Sequence, residues 1–559
     1  MSERGFGELF HCDDRATMAK KPRDRMEALL SVPDTASAVQ ALSDMEFYEL
    51  YHAVGPGDAG ALVEYGSAEQ VQTCLDLDIW RGDQMSDAAL MPWVEQLLSV
   101  PDDQFRELWN HLDPEVMALY LHRNIHLYVS EDRNDEVEIP DEASKNVAQT
   151  PDCLYWVAYP EDDDKAEQLR QLVDRLYAVF GVEKAWSILE GMHWEMSTDL
   201  EENAYHFRTE RIRELGFMPR DEAASLFATL DVAREVESIR GATQADLYVG
   251  HLDSSMKLEM ALASLDESAA AGCYLGRILS RIGDLETVKV QLLALAQQIA
   301  VFDGYQPHER EGFDDSMVLA VSYSSLGLEY ASRHDDEVAE RIVRHVPLRR
   351  LVTLGWNITR DLHHKAKLLV CRGHLSIIED QPLSLLTPEL RDRIEGLLCA
   401  RPRPQSSVLS PFVSVRDIQT SAAAIADVAT RELFFGEALH KTKDDIARLA
   451  YTHELVLGVE NVYFDNVAIT FLARRAMKCA EPWSVFDVQA PPSRGEVWSA
   501  LSDENIRSLF RSNMPESTYA ALDRFGRQLR DYLETQWPAS AETPDPRLVG
   551  AILFAESEP

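Results

Sequence analysis

Apolar residues recur along most of this chain at the spacing of an α-helix. Leu169, Leu172, Val173, Leu176, Val179 and Phe180 stand at i, i+3, i+4 and i+7, one stripe along a helix. A second stripe follows Pro347 and runs through Leu348, Leu351, Val352, Gly355, Ile358, Leu362, Ala366 and Leu369. Pro347 suits a helix start, where its missing N–H leaves no bond unmade. Ser43 with Glu46, and Ser67 with Gln70, have capping-box spacing. Thr387-Pro388-Glu389 reads as a cap followed by Pro in the first turn. Gly55-Pro56-Gly57, Gly181 and Gly216 read as stops. Strand patterning is confined to residues 125–129 and 154–159, on either side of an acidic stretch. The expected fold class is mainly α: stacked short helices, solenoid- or superhelix-like, with a small β element near residues 125–160.

An internal echo supports the stacked-helix expectation. Leu29-Leu30-Ser31-Val32-Pro33-Asp34 returns unchanged as Leu97-Leu98-Ser99-Val100-Pro101-Asp102. Each copy is expected to end one helix and turn into the next, as in repeat arrays. Breaks in patterning suggest a flexible N-terminus (1–25), a helical-repeat domain (26–125) and an acidic, partly β connector (126–160). A central helical domain (161–400), a Pro/Ser linker (401–415), a C-terminal helical domain (416–537) and a Pro-rich tail (538–559) follow.

Charge narrows the function classes. The chain carries 54 Lys+Arg against 95 Asp+Glu, a net −41. So acidic a surface argues against nucleic acid and anionic lipid as partners. The longest apolar candidate, residues 288–302, is broken by Lys289, Gln291, Gln297 and Gln298, so no membrane insertion is expected. The 7 cysteines include no Cys-x-x-Cys pair, which fits a reducing, cytoplasmic setting.

Catalytic and cofactor motifs are sparse. His122 and His126 would share a face if both lay on one helix, with His111 as a third candidate ligand. The zinc-protease pattern needs Glu after the first His, and Arg123 stands there. The favoured alternative is surface or half-buried histidines at a helix end. Ser254-Ser255-Met256-Lys257 matches Ser-x-x-Lys, but the companion Ser-Asp-Asn and Lys-Thr-Gly motifs are missing. Glu161-Asp162-Asp163-Asp164 precedes a helix, where acids favour the positive end of its dipole. No glycine-rich phosphate loop is present, and no cofactor is expected.

One charge asymmetry stands out. Residues 341–372 hold eight Arg/Lys against Asp361 alone. On the helix after Pro347, Arg349, Arg360, His364 and Lys367 fall on one face with Trp356 among them. This face is expected to pair with acidic neighbours inside the molecule, to stay a plain solvated face, or to dock an acidic ligand or partner with Trp356 as aromatic anchor.

Three segments carry a family resemblance. They are Ser67-Ala68-Glu69-Gln70 leading into Leu75-Asp76-Leu77-Asp78-Ile79-Trp80; Phe207-Arg208 through Arg211-Ile212 to Leu215-Gly216-Phe217; and Pro347-Leu348 through Leu351-Val352 to Leu354-Gly355. Together they resemble a bacterial family of unknown function, DUF6178, over nearly the whole chain. The N-terminal part is also similar in shape to the cytoplasmic helical superhelix of magnesium transporters. The family implies no activity. The expected function is a non-enzymatic interaction or scaffold role with a protein partner. The alternatives are a metal-dependent hydrolase using His122 and His126, and a divalent-cation-responsive regulator.

Overall fold

A computed structural model describes residues 22–129, 139, 146–194, 196–215, 217–242, 273–282, 286–510, 515–537 and 545–556. Ser254 to Lys257, Gly216 and most of the acidic stretch after residue 130 lie outside the described residues. The fold is mainly α, as expected, with 25 helices among the described residues and only small strand elements. The chain divides into two compact units. Unit 1 is Met1–Leu226, His251–Ser254 and Ala294–Met317; unit 2 is Phe227–Gly250, Ser255–Leu293 and Val318–Pro559.

Unit 1 begins with eight helices: α1 (Pro22–Leu30), α2 (Thr35–Gln40), α3 (Asp44–Val54), α4 (Gly60–Tyr65), α5 (Ala68–Asp78), α6 (Asp87–Ser99), α7 (Asp102–His111) and α8 (Pro114–Asn124). The hairpin β1 (Trp80–Arg81) and β2 (Gln84–Met85) lies between α5 and α6. Both echo copies end a helix, α1 and α6, and turn into the next. The Ser43 and Ser67 capping boxes both form. Gln70 also donates to the carbonyls of Val39 and Leu42, at 3.1 and 2.8 Å, tying α5 to the turn before α3.

The small β element is a three-stranded antiparallel sheet in the order β3 (His126–Val129), β5 (Tyr155–Ala158), β4 (Val147–Gln149). His126 pairs with Ala158, and Val147 pairs with the other edge of Ala158. Then come α9 (Asp163–Phe180), α10 (Val182–Trp194), α11 (Ser197–Glu214) and α12 (Arg220–Ala224). Asp162 caps α9 by accepting from the Lys165 amide, so part of the acidic run serves as a helix start.

A buried ionic knot ties α5, α8 and α11. Arg211 reaches both oxygens of Asp76 at 2.6 and 2.8 Å and Asp113 at 2.7 Å. The two acids are 2% and 1% exposed. Gln72 bridges them, donating to Asp76 and accepting from the Asp113 amide. Burial pushes the Asp76 carboxyl up, and Arg211 opposes that push.

The remaining helices are α13 (Val232–Gly241), α14 (Tyr274–Ile282), α15 (Glu286–Asp303), α16 (Arg310–Ser332), α17 (Asp336–His345), α18 (Leu348–Cys371), α19 (Pro388–Leu398), α20 (Val415–Leu433), α21 (Lys443–Thr452), α22 (Phe464–Ala476), α23 (Arg494–Ala500), α24 (Asp503–Arg507) and α25 (Glu516–Gln536). They belong to unit 2, except that α15 from Ala294 on and α16 up to Met317 belong to unit 1. Within unit 2, α16 and α18 approach so closely that each places a glycine on the other's backbone. A Cβ on Gly327 would meet the Leu351 carbonyl, and one on Gly355 would meet the Tyr323 carbonyl. The reciprocal pairs run antiparallel, and Gly355 is one of the residues that carry the family resemblance.

The segments read as a linker and a tail both carry specific contacts. Residues 401–407 are held on α19: the Ser406 and Ser407 hydroxyls and the Ser407 amide all donate to Asp392. Near the C-terminus, β7 (Phe554–Ala555) pairs in parallel with β6 (Phe486–Asp487), and residues 551–554 are buried in the core of unit 2. Burial of Ile552, Leu553 and Phe554 overrides the Pro-rich composition around them.

Two substitutions test this packing. Gly355→Ala forces α16 and α18 apart and should cost about 1–3 kcal/mol, read as faster amide exchange along α18. Arg211→Met strands two buried carboxylates and should cost about 3–5 kcal/mol, read as a lower urea midpoint.

Candidate functional site

The most concentrated chemistry in unit 1 lies where α3, α5, α6 and the α15–α16 connection meet. Tyr48 and His52 are one turn apart on α3 and face the same way. Asp78 is the last residue of α5, and Trp93 lies in the middle of α6. The connection delivers His308. Helix α15 ends at Asp303, and Gly304 turns the chain at φ +84°. Gln306 then donates to the Trp80 carbonyl at 3.3 Å, and its amide donates to Glu309 at 3.0 Å.

Asp78 is the hub. The Tyr48 hydroxyl lies 3.0 Å from Oδ1 and Trp93 Nε1 lies 3.1 Å from Oδ2. His52 Nε2 lies 3.0 Å from each oxygen. His308 Nδ1 lies 2.6 Å from the Tyr48 oxygen. With Asp78 ionised, the proton assignment is fixed. Tyr48, Trp93 and His52 donate to the carboxylate, and His308 Nδ1–H donates to Tyr48. The two imidazoles stack face to face, 3.7 Å between centroids and 2° from parallel. Tyr51 stacks on Trp93 at 4.5 Å and holds the indole in place.

Burial and the Asp78 charge push the Tyr48 phenol far above its ordinary range, so it stays a donor. Burial, and then the neighbouring His52, pull His308 below the usual imidazole value; Asp78 and Glu309 partly oppose this. Among the described residues, His52, Asp78 and His308 are the one group of three metal-ligating side chains whose ligand atoms lie within 4.8 Å of one another.

The sequence-derived candidates lie elsewhere. His122 lies in the last turn of α8, Ile125 caps that helix and His126 opens β3, so the two do not share a helix face. Both line a cleft of about 210 Å³ with Tyr128, Met192 and His193. His122 Nδ1 donates to the Met192 carbonyl at 2.8 Å. His111, the suggested third ligand, donates instead to Glu107 of its own helix at 2.9 Å. In unit 2, Arg349, Arg360, His364 and Lys367 are exposed on α18. Trp356 is half-buried. It packs edge-on against Phe227 and Tyr323, and the Arg401 guanidinium lies 5.0 Å over its ring.

Sequence reasoning did not single out His52, Asp78 or His308. Tyr48 and His52 carry an i, i+4 signal, and Asp78 lies in a segment of family resemblance. His308 has no local signal at all.

The fold and this cluster define a helical protein with a half-buried polar centre of histidine, aspartate and tyrosine. The chain belongs to a family of unknown function, DUF6178, whose model matches residues 11–555. No curated protein and no solved structure matches it. The likeness to the magnesium-transporter superhelix therefore gains no support.

Trp93→Phe keeps the ring but removes one donor from Asp78. The expected cost is about 1.5–3 kcal/mol, the worth of a hydrogen bond to a charged group, measured by chemical denaturation. An unchanged midpoint would show that Asp78 does not depend on that bond.

Proposed function

We propose that this chain is an interaction protein that docks an acidic protein partner on the exposed basic face of α18. One observation carries the reading. In a chain of net charge −41, Arg360, His364 and Lys367 stand exposed on one helix, and none of them has a carboxylate partner among the described residues. The neighbouring cations are paired: Arg350 with Glu235 at 2.7 Å, Lys365 with Asp361 at 2.6 Å and Arg372 with Glu432 at 3.4 Å. Arg360 donates to the Thr229 hydroxyl, a neutral group that leaves its charge uncompensated. Leu368, 50% exposed beside Lys367, adds an apolar contact to the cationic strip.

These features favour an acidic patch with apolar residues at its centre. The charge of the rest of the chain disfavours a nucleic acid, whose long-range repulsion three local cations do not offset. Trp356 braces the helix from within unit 2, and the contact surface is the Arg360, His364 and Lys367 strip with Arg349 further along.

The test is fluorescence anisotropy with a labelled peptide of alternating acidic and leucine residues, titrated with the full chain at low and moderate salt. Binding should weaken as salt rises, and the triple variant R360E/H364E/K367E should lose about tenfold or more, since each reversal replaces attraction by repulsion. Equal binding by the variant would refute the reading. Tighter binding of an oligonucleotide than of the peptide would replace it.

A further inference from the structure

The three buried aspartates among the described residues are matched by guanidinium groups, while the buried Glu329 meets His334 and the Val415 amide. Asp76 and Asp113 share Arg211. In unit 2, Asp465 pairs with Arg431 at 2.6 Å, and both side chains are buried. Asp78 departs from that pattern. Its side chain is 11% exposed, and no Lys or Arg reaches its carboxylate among the described residues. Arg81, three residues on, donates to the Asp78 main-chain carbonyl at 2.9 Å instead. What faces the carboxylate is Tyr48, Trp93 and His52, with a second imidazole, His308, stacked behind. A buried carboxylate without a fixed cation is costly unless a mobile positive charge accompanies it.

We propose that this cluster is a binding site for a divalent transition-metal ion of the zinc, cobalt or nickel class. Its protein ligands are His52 Nε2, the Asp78 carboxylate and His308 Nδ1. Two imidazoles and one carboxylate suit these ions, whereas magnesium and calcium take oxygen ligands. Three protein ligands leave a position for solvent or a small ligand, on the side where His308 is exposed. Trp93 supplies the outer support such sites need: its N–H holds Asp78 Oδ2 and orients the carboxylate.

The stacked rings show what binding must change. A metal takes an imidazole's lone pair in the plane of the ring. Two parallel rings 3.7 Å apart cannot both direct that lone pair at one ion. One ring has to turn. His52 is fixed on a helix, with the Tyr48 ring 4.5 Å away and the Tyr51 ring 5.3 Å away. His308 lies exposed in the connection between two helices and is the ring that can move. Its turn breaks the contact with Tyr48 and leaves that hydroxyl to Asp78 alone. Each imidazole meets the ion through a bare nitrogen, so the proton on His52 Nε2 and the one on His308 Nδ1 pass to the other nitrogen of the same ring as the ion enters. The site is thus closed by protons without metal and opened by the rotation of one side chain.

The His122, His126 and His193 cleft is the internal comparison. It is lined by three imidazoles and no carboxylate, and the His122 Nδ1 is engaged with the Met192 carbonyl.

The experiment uses the full chain, stripped with chelator and titrated with Co²⁺ and then Zn²⁺. Visible absorption reports Co²⁺ coordination, and native mass spectrometry reports stoichiometry. One ion per chain is expected, with a Co²⁺ spectrum that Zn²⁺ abolishes. His308→Ala should weaken binding at least tenfold while leaving the far-ultraviolet circular dichroism unchanged, because the residue is exposed and lies outside the helices. Asp78→Asn should do the same, with its folding checked in the same way. Trp93→Phe should weaken binding about 10–100-fold, the usual effect of losing an outer-shell partner. The triple variant H122A/H126A/H193A should bind as the parent does. A parent chain that takes up neither ion at micromolar concentration, a His308→Ala chain that binds equally well, or loss of the ion only in the triple variant would each overturn the proposal.

Discussion

A chain with this much negative charge has to decide, carboxylate by carboxylate, what accompanies each acid that folding removes from water. The two best-buried cases have the same answer. Arg211 grips Asp76 and Asp113 and so joins α5, α8 and α11. Arg431 grips Asp465 with two bonds, 2.9 and 2.6 Å, and so joins α20 to α22. In both, a planar guanidinium meets a carboxylate with paired donors, a geometry that lysine does not supply. Helices of ordinary propensity are thereby locked in one register, because any slip leaves an uncompensated charge inside.

That constraint also sets the polar centre of unit 1 apart. Asp78 follows Asp76 by two residues on α5, yet its surroundings are two imidazoles, a phenol and an indole. Asp76 faces the arginines of α11, whereas Asp78 faces α3, α6 and the α15–α16 connection. Neutral donors satisfy the lone pairs of a carboxylate without cancelling its charge. The pair of acids at 76 and 78 therefore serves two purposes: one joins helices, and the other gathers titratable groups.

Much of the fold was legible along the chain. The capping boxes at Ser43 and Ser67, the stripes on α9 and α18, and the strand runs that became β3 and β5 depend on residues within a few positions of one another. Helical spacing put Arg349, Trp356, Arg360, His364 and Lys367 on one face; that Trp356 is half-buried against Phe227 and Tyr323 follows from packing, which spacing does not show. Local patterning left two arrangements open for His122 and His126; the helix stops between them at Asn124 and the second residue enters a strand. It also read residues 401–407 as a linker and the end of the chain as a tail. Composition shows neither the acid at 392 that holds the one nor the core that buries the other.

The sequence by itself determined the helical class, most helix starts, the acidity and the one basic face, because each follows from local spacing or from counting charges. Only the tertiary structure decided that Tyr48, His52, Asp78, Trp93 and His308 meet. His308 comes from 256 residues beyond His52, carried by a glycine turn and a glutamine bonded to a strand carbonyl. No periodicity spans such a distance. The meeting of these groups is fixed by how helices pack, and packing is a property of the whole core.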